Sequence, residues 1–184
     1  MSHGFEMEQP KGPAVPEHPG VARLSGLLDR FNQLLMSISM GAMVLTALVL
    51  TYSVVSRYFF KVPTDWQDEA SVFMLVGATF SCTAYVQSYR GHIGIEALAS
   101  ILPDAANRVR MLLVDLLSFL FCAFFSWKSW TLFHEAFVDG QTTTSTFAPP
   151  LSIPYGMMAF GISLLSLQIL VQLIAQLSNN KAAR

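Results

Sequence analysis

The strongest constraint in this sequence is the near absence of charge from four long apolar stretches. Leu34–Ser56, Ala70–Tyr89 and Leu151–Ser178 contain no Asp, Glu, Lys or Arg, and a fourth stretch runs from Leu116 to Trp127, reaching back to about Val109 if Arg110 and Asp115 are tolerated. A helix needs roughly 20 mostly apolar residues to cross a hydrocarbon core of about 30 Å. Lipid offers backbone amides no partner, so a span must close its own hydrogen bonds, which makes helix the default and excludes open sheet. The stretches therefore predict an all-α membrane protein with four transmembrane helices.

At 184 residues, 53% hydrophobic and 12% charged, the spans and their connectors use up the chain and leave no room for a separate soluble domain. A net charge of −1 with no basic stripe excludes a nucleic-acid surface. Cys82 and Cys122 both fall inside apolar stretches, where a thiol behaves as a small hydrophobe, so packing is expected of them and not a disulfide or metal role. Pro10, Pro13, Pro16 and Pro19 punctuate an N-terminal arm with almost nothing to bury. Residues 1–24 are thus expected to form a disordered tail, 25–178 the four-helix domain and 179–184 a short C-terminal tail. No apolar core of the kind a cleavable leader requires precedes the first span, which is expected to be retained as the insertion signal.

The basic residues set the expected orientation. Lys11, Arg23, Arg30, Arg90, Arg108, Arg110, Lys181 and Arg184 fall on one side, Arg57 and Lys61 on the other, with Lys128 inside the third span. Positive charge favours the cytoplasmic side, so both termini are expected there, and the connectors near residues 57–65 and 134–150 outside. The outer connectors are a tight turn at Phe60–Trp66 and a Thr-rich, proline-ended loop at Asp139–Pro150. Ile93–Leu102 places Ile95, Leu98 and Leu102 on one helical face, which predicts a short helix lying along the inner membrane surface and ended by Pro103.

The segment opening the second span, Pro63 to Ala70, is the most distinctive in the chain. Thr64 with Gln67 has the form of a capping box, and Asp65 with Asp68 repeats it one residue later. Asp68 and Glu69 would lie in the first turn, where the helix end favours carboxylates, and Trp66 suits the headgroup boundary. These residues either start and anchor a helix, or Glu69 pairs with a cation on a neighbouring helix or subunit. Lys128, flanked by Trp127 and Trp130, is placed by its span at about the depth of Asp68 and Glu69, so it is expected either to pair with one of them or to snorkel to the headgroups. Asp115 near the inner end is expected to be paired, with Arg108 or Arg90 at hand, since a proton relay would need further acids along a path. Gln168, Gln172 and Gln176 recur every four residues in the last span, and Gly77 with Ser81, like Gly156 and Gly161, offers close approach. Together these suggest a packing seam against a partner, although Gln172 and Gln176 could equally reach the inner headgroups. His92 and His134 belong to opposite faces, and His3 and His18 to the tail, so no haem or metal site is expected within the spans. No phosphate-binding glycine loop or nucleophile elbow is present, and no cofactor or enzymatic activity is expected.

Taken as an ordered set, these motifs resemble the small membrane subunit (DctQ-like) of the tripartite ATP-independent periplasmic, or TRAP, transporters. The resemblance rests on Trp66-Gln67-Asp68-Glu69, Gly77, Tyr89-Arg90-Gly91-His92-Ile93-Gly94-Ile95-Glu96, Leu102-Pro103, and Pro149-Pro150-Leu151-Ser152-Ile153-Pro154, and covers about residues 25–178. Ser81-Cys82-Thr83-Ala84 stands where the family usually has a more alanine- and glycine-rich run. Membership implies a multi-pass protein of a bacterial inner membrane that is not itself the transport path. A larger multi-span subunit would hold the substrate and ion sites, and a periplasmic substrate-binding protein would deliver an organic acid, such as a dicarboxylate or sugar acid, for ion-coupled uptake. Trp66, Asp68, Glu69, Gly77, His92, Glu96, Asp115, Lys128, Gln168 and Gln172 would then make subunit or helix contacts. Arg57, Lys61, Asp65 and Asp139 would meet the binding protein at the outer rim, where charge chiefly affects encounter rate. The chain also ends soon after the fourth span, as the unfused form of the subunit would. The alternative is a stand-alone proton-coupled exporter, which would need an acid inside the first span; Leu34–Ser56 has none.

Overall fold

The computed structural model describes residues 19–89 and 103–182. They form four helices, α1 (Pro19–Phe60), α2 (Asp65–Ser88), α3 (Asp104–Val138) and α4 (Ser152–Ala182), and each contains a segment long and apolar enough to cross a membrane. The expected surface helix over Ile93–Leu102, together with His92 and Glu96, lies outside the described residues. α1 reaches back to Pro19 and α4 forward to Ala182, so helix occupies part of both stretches read above as tails. Extending an existing helix adds one hydrogen bond for each residue fixed, whereas nucleation is the costly step.

Local chemistry explains where the helices stop. Pro63 disfavours helical backbone at Val62, and the chain leaves α1 through Lys61, which adopts the left-handed conformation (φ 51°). α3 ends in a Schellman-type cap. Gly140 takes φ 62°, and the Gln141 amide donates to the Ala136 carbonyl at 3.0 Å. The loop that follows closes on itself through a Thr142–Pro150 bridge, with Thr143 N–H donating to Pro149 O (3.1 Å) and Leu151 N–H to Gln141 O (2.9 Å). Pro154 is tolerated in the first turn of α4, where helix amides have no intrahelical acceptor to lose.

The helices pack in the spatial order α1–α2–α4–α3, with only a slight contact between α1 and α4. Two antiparallel hairpins are thus joined through the parallel pair α2 and α4. α4 is the inner member, with 44% of its membrane segment buried against 6% for α3, which makes α3 an edge. Small residues set the spacing of the central pair. A side chain at Gly161 would overlap the Phe80 backbone, and one at Gly77 would come within 2.7 Å of the Met157 sulfur. Ala84 in the Ser81–Ala84 segment is fully buried, so a residue with a methyl side chain still allows close packing there.

Candidate functional site: polar bridges across the helix layer

The glutamines of α4 each reach a different helix. Gln168, buried, accepts from Asn32 Nδ2 of α1 at 3.1 Å. Gln172 accepts from Gln87 Nε2 of α2 at 3.0 Å and donates to the Gln87 carbonyl at 2.9 Å, in the last turn of α2, where that carbonyl also accepts from the Tyr89 amide. Gln176 donates to the Asp115 carboxylate of α3. A four-residue step turns a helical side chain by about 40°, so the three amides point in successive directions and meet successive neighbours. The seam expected of these residues therefore finds its partners inside the chain, and Gln172 and Gln176 are engaged there and not at the headgroups. Asp115 is buried and accepts from Gln176; Arg90 and the Arg108 side chain, the partners anticipated for it, lie outside what is described.

A second row of polar residues escaped the sequence reading. Asn32, Ser39, Thr46 and Ser53 recur every seven residues along α1, and all four are buried. Seven residues are close to two turns, so the row forms one stripe on the packed side of α1. Their spacing was the available signal. Thr46 returns its hydroxyl to the Ala42 carbonyl at 2.7 Å, while Asn32 and Ser53 bridge to other helices. Between α3 and α4, Ser126 and Ser163 lie 2.8 Å apart, and the Trp130 indole donates to Ser163 at 3.0 Å.

At the turn between α1 and α2 the anticipated capping box does not form. Thr64 makes no side-chain cap. Its hydroxyl instead accepts from Arg57, whose guanidinium also pairs with Asp68 at 2.6 Å, while Ser53 donates to the other Asp68 oxygen at 2.8 Å. The charge pair therefore links α1 to α2, and the Arg57 side chain remains 61% exposed. Gln67 Oε1, Glu69 Oε2 and Ser71 Oγ are buried without a hydrogen-bond partner. Trp66, Lys61, Asp65 and Asp139 are exposed, and Asp139 accepts from Gln141 Nε2 at 3.4 Å.

Lys128 is not near the carboxylates that open α2. The helix contacts fix the levels. Phe80 lies beside Gly161, and Ser163, one half-turn further along α4, touches Ser126 and Trp130 on either side of Lys128. Lys128 is thus level with about residue 82 of α2, roughly 20 Å along the helix from Asp68 at 1.5 Å per residue. The expectation of equal depth failed because α3 continues outward well beyond its charge-free stretch. The Lys128 ammonium instead stands over the Trp127 ring, 5.1 Å from its centre.

Four membrane-length helices, tied to one another by buried amides and hydroxyls, define a multi-pass membrane protein. Residues 46–179 match the family model for the DctQ component of tripartite ATP-independent periplasmic transporters, and the chain belongs to that family of transporter components. No curated protein and no solved structure matches the chain.

Proposed function

We propose that this protein is the small permease subunit of a TRAP-type secondary transporter. In this reading it braces a large multi-span membrane subunit and helps to present a docking surface for a periplasmic binding protein. The assembly imports an organic acid, such as a dicarboxylate or sugar acid, at the expense of an ion gradient. The chain sits in a bacterial inner membrane with both termini cytoplasmic, as its basic residues favour.

One observation carries the reading. Polar groups on all four helices bond across to other helices of the same chain: Asn32 to Gln168, Gln87 to Gln172, Ser126 and Trp130 to Ser163. A carrier of small anions presents its site near the bilayer midplane, in many folds on broken helices whose freed backbone groups face the substrate. α1 to α4 run unbroken through that depth. Such a layer suits a brace, and the transport path then belongs to the partner. Arg57, Lys61, Asp65 and Asp139 remain the candidates for contact with the binding protein, with Arg57 acting through the face it leaves exposed beside Asp68.

The test is co-purification. Tagged full-length chain, co-expressed with a large membrane subunit of the same transporter type from its source genome, should retain that subunit through detergent extraction and size exclusion. Recovery of the tagged chain alone under conditions that preserve its fold would refute the assignment. Neutralising Arg57, Lys61, Asp65 and Asp139 together should slow association of the binding protein with the assembled pair, and unchanged association would remove those residues from the interface.

A further inference from the structure

Lys128 holds a position that lipid does not suit. Asp68 lies roughly 20 Å to one side of it along the helix direction and Asp115 roughly 20 Å to the other, at 1.5 Å per residue. That places the ammonium group near the middle of a hydrocarbon core about 30 Å thick. Lys128 is nonetheless exposed on the edge helix, on a stripe with Leu117, Phe121 and Phe124, which are 72%, 68% and 56% exposed. Its ammonium stands over the Trp127 ring, and among the described residues it has neither a hydrogen bond nor a carboxylate partner.

Snorkelling does not resolve this. Side chains on a helix lean toward its N-terminus, and for α3 that direction leads away from the nearer Trp130–Val138 end and back along the apolar run. A charge at such depth is costly in lipid and is ordinarily found facing protein, with a named partner. A second copy of this chain is a poor occupant, because a symmetric contact through this stripe would set Lys128 against Lys128 with no acid at that level. Asp115 and Glu135 are thirteen and seven residues away along α3.

We propose that the α3 stripe centred on Lys128 is the face that docks on the large membrane subunit, and that the partner meets Lys128 at mid-depth with negatively polarised oxygens, either a carboxylate or the carbonyl end of a broken helix. The inference rests on the subunit role proposed above and adds to it the face and the chemistry of the contact. Leu117, Phe121 and Phe124 supply apolar area around the charge, and Trp127 offers its ring face to the ammonium. A desolvated charge at the centre of an apolar contact is the arrangement in which removal of one partner weakens association most.

The experiment uses the full-length chain co-expressed with the large subunit. Lys128→Met and Lys128→Glu should each weaken retention of the large subunit by at least about 30-fold, whereas Lys128→Arg should retain it. Because Lys128→Glu can fail to insert, a photoreactive benzoylphenylalanine in place of Phe124, with Lys128 intact, provides a second readout and should cross-link to the large subunit. Undiminished co-purification of Lys128→Met, or a Phe124 probe that labels only lipid, overturns the inference while the wild-type complex leaves the subunit role standing. If the wild-type chain retains no large subunit, the subunit role falls and this inference falls with it.

Discussion

Replacing Gln172 with Leu tests whether α4 holds the layer together through its amides. The substitution conserves volume and removes three interhelical bonds, the 3.0 Å bond from Gln87 Nε2, the 2.9 Å bond to the Gln87 carbonyl and a longer one, 3.5 Å, to the Ser88 carbonyl. Interhelical hydrogen bonds within membranes contribute about 0.6 kcal/mol each on average and up to about 1.7. The two shorter ones alone give a loss of about 1 to 3 kcal/mol, a change of roughly five- to 150-fold in the unfolding constant. The assay is reversible unfolding in mixed micelles of mild detergent and dodecyl sulfate, followed by far-ultraviolet circular dichroism. Gln33→Leu is the matched control, because Gln33 is exposed on α1; it should change stability by less than about 0.5 kcal/mol. The double variant Gln87→Leu/Gln172→Leu should lose less than the sum of the single variants, since the two residues share the bonds. Equal stability of Gln172→Leu and Gln33→Leu, or strict additivity with Gln87→Leu, would refute the role given to the amide row.

Gly161→Ala should destabilise the chain by about 1 to 3 kcal/mol, because the new methyl overlaps the Phe80 backbone and forces α2 and α4 apart; Gly41→Ala, where nothing lies within 4 Å, should instead be neutral or gain up to about 1 kcal/mol, and thermal melts of the two proteins give the comparison. Asp68→Asn breaks an ion pair whose side chains are 61% and 46% exposed, so the loss should stay below about 1 kcal/mol and shrink further in high salt. Ala148 adopts φ 44°, a conformation that glycine enters without steric cost. Ala148→Gly should therefore leave stability unchanged or raise it by up to about 1 kcal/mol, whereas Ala148→Val should lower it; parallel melts decide.

Much of the fold could be read from the sequence because lipid imposes one rule on every span, and the runs free of charge marked α1, α2 and α4 directly. α3 was harder to delimit. Its apolar run is interrupted by Asp115 and Lys128, and its outer end, with His134 and Glu135, reads as connector until Gly140 is recognised as a helix cap. That misjudged length also put Lys128 at the wrong depth. Spacing alone gave the Gln168, Gln172, Gln176 row but not its partners, since periodicity identifies a face and not what covers it. Thr64 shows the reverse limit. Its local pattern fits a cap, yet Arg57, seven residues upstream, claims the hydroxyl because the α1–α2 hairpin brings the guanidinium within 2.8 Å. The stripe of Asn32, Ser39, Thr46 and Ser53 was present in the sequence but hidden because the hydroxyls of Ser39, Thr46 and Ser53 barely register in hydropathy.

Substrate flux in proteoliposomes tests the central claim most directly. Vesicles are prepared with this chain alone, with the large membrane subunit alone, and with both, and each is given the binding protein loaded with its labelled organic acid under an imposed ion gradient. The account predicts uptake only where the large subunit is present, enhanced when the two membrane subunits are together, and none from this chain alone. Concentrative uptake by vesicles containing only this chain would contradict it.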